Sequence, residues 1–177
     1  MSDTLITIIA ILLAAILMFV FPLMSVAERS DDMSALSVQT ATTEFVDNSR
    51  AIGKITMANY QKLVNALSAT GNTYDIEMEV KILDENVGKK SAWTSGTVIG
   101  ENIYYSVYTA QILEVLTDEN GTSSYNMSEG DIFSVSVKNT NKTMAQTIRS
   151  AFYSISGQDT YQISAQHSGI VSATGSN

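Results

Sequence analysis

The spacing of apolar positions changes character along the chain. Residues 5–27, LITIIAILLAAILMFVFPLMSVA, form a nearly unbroken apolar run whose only polar side chains are Thr7 and Ser25. As a helix rising about 1.5 Å per residue, the run reaches about 34 Å, enough for a hydrocarbon core of about 30 Å. Three structures can carry such a run: a retained membrane helix, a signal peptide or a buried core helix. The length of the run and its non-basic start, Met1-Ser2-Asp3-Thr4, favour a retained helix. Ser25-Val26-Ala27 ahead of Glu28 fits a signal-peptidase site and keeps the second reading open. Arg29 stands among Glu28, Asp31 and Asp32, so flanking charge orients the span poorly. A short N-terminal stub inside and a large domain outside the cytoplasm is the expectation. Pro22 removes a backbone donor, which predicts a kink near residues 18–22.

Past the run, neither proline nor glycine occurs between Glu28 and Ile52. Val38, Ala41, Phe45 and Ile52 keep helical spacing, extended loosely by Met33 and Leu36, which predicts that the helix continues. Gly53 ends it. A second helix is predicted from an N-cap at Thr56, with Tyr60, Leu63, Val64 and Leu67 on one face and Gly71 at its close. In Asp75–Ile82 the period becomes two: Ile76, Met78, Val80 and Ile82 alternate with Asp75, Glu77, Glu79 and Lys81, a half-buried strand. Residues 84–100 read as loop, with Thr97–Ile99 a possible edge strand. Residues 102–116 fit a helix through Tyr104, Tyr108, Ile112 and Val115, or a strand through Ile103–Tyr108; helix is preferred. Residues 117–130 read as a polar loop. Ile132–Lys138 alternates again. Asn141-Lys142-Thr143 then offers a cap for a helix through Ala145, Ile148 and Phe152, closed by Gly157. A last strand is predicted over Thr160–His167, followed by a frayed polar tail at 172–177.

These elements predict an α+β fold. An N-terminal transmembrane helix continues into a long helix, followed by a small antiparallel sheet of three or more strands packed with two or three helices. The corresponding divisions are an anchor at 1–27, a helical stem at 28–53 and an extracytoplasmic α+β domain at 54–177.

Charge and composition narrow the functional classes. The net charge is −8, and setting aside Asp3 leaves −7 on the remainder, which argues against nucleic-acid partners and against electrostatic docking to anionic lipid. With no cysteine there is no disulfide framework or thiol site. His167 is the only histidine, so a multi-histidine metal site cannot form. The acidic pairs Asp31-Asp32, Asp84-Glu85 and Asp118-Glu119 lie outside any calcium-loop pattern, and no G-x-S-x-G elbow, P-loop or dinucleotide fingerprint occurs. The expectation is a protein that is not an enzyme, with no cofactor, no metal and no catalytic residues. Asn120, Asn126 and Asn141 head glycosylation sequons, which mark polar loops. Trp93, Tyr104, Tyr105 and Tyr108 are candidates for a ligand or partner surface, although core packing accounts for such rings more simply.

A non-basic start, about 20 apolar residues, Pro22 and a helix running into a C-terminal α+β domain together resemble a type IV pilin. The segments TGNTYDIEMEVKILDENVGKK, GENIYYSVYTAQILEVL and GDIFSVSVKNTN are similar to proteins of tight-adherence (Tad) pilus and type II/IV secretion clusters of Gram-positive anaerobes. The resemblance implies a cell-surface, membrane-anchored pilin or pseudopilin that packs with copies of itself or with other pilin or secretion subunits. It assigns helix packing and anchoring to Asp3, Leu5 and Pro22, with Leu5 where pilins usually carry glutamate and Asp3 the nearby acid. The rival expectation is an anchored or secreted extracytoplasmic domain that binds a small ligand or peptide.

Overall fold

The computed structural model describes residues 2–83, 104–117, 124–153 and 162–176. The expectations at Trp93, Thr97–Ile99, Asn120, Gly157 and Tyr161, and the pairs Asp84-Glu85 and Asp118-Glu119, lie outside the described residues.

The chain begins with one uninterrupted helix, α1 (Ser2–Ile52), which passes through Pro22. Its 51 residues extend about 77 Å. Gly53 ends it at φ 68°, where a side chain would be strained. A short strand, β1 (Lys54–Thr56), leads to α2 (Met57–Ser68). As predicted, Thr56 is the N-cap of α2: its hydroxyl accepts from the Asn59 amide at 3.2 Å. Then follow β2 (Tyr74–Leu83), β3 (Tyr104–Tyr108), α3 (Thr109–Thr117), β4 (Ser124–Asn126), β5 (Ile132–Asn139), α4 (Met144–Tyr153) and β6 (Ser164–Ile170).

The main sheet is antiparallel throughout, in the order β3-β2-β5-β6, while β1 and β4 form a separate antiparallel pair. The inner face of the main sheet carries Met78 and Val80 of β2, Phe133, Val135 and Val137 of β5, and Ala165 of β6, all buried. Against them pack Val38, Phe45 and Val46 of α1, Leu63 and Leu67 of α2, and Ile112 and Leu116 of α3. Phe45 joins the layers, with its ring edge-on to Phe133 at 5.8 Å and to Tyr60 at 6.5 Å. The opposite face of the sheet is open and polar. The chain is thus α+β, with a long apolar helix first and helices on one side of an antiparallel sheet.

Four details differ from the sequence expectations. Residues 104–108 form a strand, with the preferred helix beginning only at Thr109. Tyrosine and valine suit a pleated surface, and β2 offers an edge to pair with. The Thr109 hydroxyl then closes the ladder, accepting from the Met78 amide at 2.6 Å and donating to the Met78 carbonyl at 3.2 Å. Second, the stretch expected as loop at 117–130 contains β4, which pairs with β1.

Third, Met33, Leu36 and Ile52 are exposed, and the buried stripe of α1 instead runs through Ala27, Asp31, Ser34, Val38, Thr42, Phe45, Val46 and Ser49. Ser34 and Thr42 enter it because their hydroxyls donate to the Ser30 and Val38 carbonyls one turn back, which satisfies them inside the helix. Finally, the last strand starts later than expected, and the tail after it is tied down. The Ser172 amide donates to the Arg50 carbonyl, an end-of-helix acceptor, and Gly175 donates to Met127.

Candidate functional site

Two surfaces present chemistry: the two sides of α1 and the open face of the sheet. On α1, residues from Leu5 to Phe21 project outward, and the most apolar window is unburied by the rest of the chain. The core-helix reading of residues 5–27 therefore does not hold. This helix is long and apolar enough to cross a membrane. Asp3, Leu5 and Pro22 are all exposed along it. The Thr7 hydroxyl donates back to the Asp3 carbonyl at 2.8 Å.

From the last turn of the run upward, α1 has two dissimilar sides. One is buried in the domain. On the other, Val26, Met33 and Leu36 are each about two-thirds exposed, at 68%, 67% and 64%. Their spacing of seven and three residues places them along one helical stripe.

Polar clasps fix the domain to α1 at both ends of the stem. At the lower end Glu28 pairs with Arg149 of α4 at 2.6 Å. The Asp31 carboxylate, buried, accepts from the Thr143 hydroxyl at 2.6 Å. Thr143 is also the cap of α4: its hydroxyl accepts from the Gln146 amide, and the Gln146 side chain accepts from the Thr143 amide. The Thr-x-x-Gln pattern of this capping box was readable in the sequence. Its attachment to Asp31, 112 positions away, was not.

At the upper end Asp47 lies 3.2 Å from the His167 imidazole of β6 and 2.8 Å from Arg50. The hydrogen bond from His167 and the adjacent Arg50 hold the Asp47 carboxyl below the usual carboxylate range, against a smaller opposing effect of burial. His167 thus joins strand to stem. Arg50 lies against Gly169, where a Cβ would come within 2.8 Å of its side chain. Among the described residues, no group of three or more His, Cys, Asp and Glu side chains is placed to hold a metal.

On the sheet, the pleat separates the three tyrosines of β3. Tyr104 and Tyr108 stand opposite Leu83 and Glu79, on the open face. Tyr105 pairs with Ile82 on the inner side, near Tyr125. Burial, with Tyr105 and Asp131 nearby, raises the Tyr125 phenol above its ordinary value. The tyrosines do not converge on one pocket. Tyr108 alone borders a shallow, solvent-open groove of about 570 Å³ with Glu77, Glu79, Thr109, Ser134 and Ser136. The Glu79 carboxylate accepts from the Ser106 hydroxyl at 2.7 Å. The sequon residue Asn141 is engaged by its neighbours, accepting from the Thr73 amide and donating to Asn72.

No family model, curated protein or solved structure matches this chain.

Proposed function

We propose that the chain is a membrane-anchored structural subunit of a pilus or secretion apparatus, similar to a pilin or pseudopilin. In this reading the apolar half of α1 lies in the membrane and the α+β domain stands outside the cytoplasm at the cell surface. The observation that supports it is the two-sidedness of α1. One side of the stem is consumed by the protein's own core, while Met33 and Leu36 continue the apolar character of the span along the other side. Exposed apolar side chains on a rigid helix, outside the bilayer, are suited to a neighbouring helix of a second subunit. Asp3, Leu5 and Pro22 then belong to the packing of the span.

The test is extraction of the full-length chain in mild detergent, with its mass and its co-purifying subunits determined. The proposal expects self-association, filaments or co-isolation with other apparatus subunits, weakened by Pro22→Ala or Asp3→Ala. A strictly monomeric chain, indifferent to both substitutions, counts against it. The rival, an anchored ligand-binding domain, draws only on the groove beside Tyr108, whose openness offers little enclosure to a small molecule.

A further inference from the structure

The apolar run ends at Ala27, and the first charged side chains after it are Glu28, Arg29, Asp31 and Asp32. If the run lies in the bilayer, these residues mark its water boundary. Ala27 is only 4% exposed, so the domain reaches down to the last turn of the run. The elements that reach it are the start of α4 and the turn between α2 and β2. There a groove of about 280 Å³ opens between them and α1. Along α1 its wall changes from apolar Leu23 and Val26 to polar Ser30 and Asp31, and Thr143 and Met144 at the start of α4, with Thr70 and Asn72 of the turn, complete the lining. Met144, the first residue of α4, is 61% exposed although its neighbours Ala145 and Gln146 are buried.

Such a graded surface, apolar toward the span and hydrogen-bonding away from it, matches the layer where acyl chains give way to glycerol and headgroups. We propose that this end of the domain rests on the bilayer, with the groove and Met144 seated among the glycerol and headgroup atoms of phospholipid. The inference rests on the membrane-anchor reading of α1 and specifies which face of the domain meets lipid.

Charge fits an apolar rather than an electrostatic contact. On these segments Glu28, Asp31 and Asp32 are matched by Arg29, Lys142 and Arg149, although the chain as a whole is acidic. Two pairings hold the face in shape: Glu28 with Arg149, and Asp31 with Thr143. They fix α4 against α1 at the level of the boundary, so Met144 cannot swing away from the lipid without breaking the clasp.

Native methionines serve as depth gauges without any substitution in the test protein. Met18 is exposed in the middle of the run, Met144 borders the groove, and Met127 lies at the far end of the domain, its amide bonded to Gly53. The full-length chain, isotope-labelled at its methionine methyls, is placed in phosphatidylcholine nanodiscs containing a lipid with a nitroxide near the top of its acyl chain. Signals are assigned by single Met→Leu variants. The proposal expects loss of the Met18 and Met144 signals and retention of Met127. Loss of Met18 with Met144 retained overturns the proposal while the anchor stands. Retention of both shows that the anchor reading itself has failed. Loss of the Met144 signal only when anionic lipid is added overturns the apolar seating.

Discussion

The buried hydrogen bond between Asp31 and Thr143 provides a quantitative test of how the stem is joined to the domain. Thr143→Val keeps the shape of the side chain and removes its hydroxyl. Two losses follow. The Asp31 carboxylate loses a 2.6 Å donor in a buried setting, and α4 loses the oxygen that receives the Gln146 amide. A hydrogen bond to a charged group contributes about 1.5–3 kcal/mol. A lost N-cap costs about 1 kcal/mol. Thr143→Val should therefore destabilise the domain by about 2.5–4 kcal/mol.

Asp31→Ala removes the acceptor but leaves the capping box in place, so it should cost less, about 1.5–3 kcal/mol. The double variant should fall short of the sum of the two by about 1.5–3 kcal/mol, because the shared bond can be lost only once. The assay is denaturant unfolding of the full-length chain in mild detergent, followed by near-ultraviolet circular dichroism, which reports the domain's packing. Additive single effects, or an Asp31→Ala variant as stable as the parent, would refute the argument that this bond ties α4 to α1.

Other expectations follow from single positions. Gly53→Ala should destabilise by at least about 1–3 kcal/mol, because φ is 68° and a Cβ would approach the Ala173 carbonyl to 2.1 Å; a thermal melt reads it. Phe133→Ala, which removes a fully buried ring between Phe45 and the sheet, should cost about 3–5 kcal/mol in the same denaturation assay. Ser49→Ala should be neutral or stabilising by up to about 1 kcal/mol, since the Ser49 hydroxyl is buried with no hydrogen-bond partner. The Asp47 carboxyl is held below its ordinary value of 3.8, so its contribution to stability is complete above that pH and lost as pH falls through the lower folded value. Asp47→Asn should therefore lower stability across the neutral range and converge with the parent at pH below the folded value, which flattens the acid limb of the stability–pH curve, as measured by melts from neutral into acid.

Much of the fold was legible because its period was unambiguous. The unbroken apolar run, the two-residue alternation of β2 and β5, the Thr56 cap and Gly53 are local signals, and each has a local physical cause. What escaped was set by distant partners. The strands β1 and β4 are three residues each, too short to carry a period, and exist because they pair with one another across the chain. The buried side of α1 was misjudged at Met33 and Leu36 because hydrophobicity alone chose the face. Small hydroxyl residues that bond back into their own helix can be buried at little cost, leaving larger apolar residues for another surface. Tyr104, Tyr105 and Tyr108 looked like one cluster in the sequence until the strand's pleat divided them. The clasps made by Asp31, Asp47 and His167 join residues more than a hundred positions apart, and no spacing rule anticipates them.

The central claim is that the exposed apolar stripe of the stem meets another subunit. The chain has no cysteine, so a single one placed at position 36 is an unambiguous probe. The decisive measurement is oxidative cross-linking of Leu36→Cys in native membranes, with Gln166→Cys on the open sheet face as the control. The account predicts a disulfide-linked dimer from Leu36→Cys and none from Gln166→Cys. A cysteine at position 36 that forms no adduct, and that reacts with a soluble maleimide as fast as one at position 166, would contradict it.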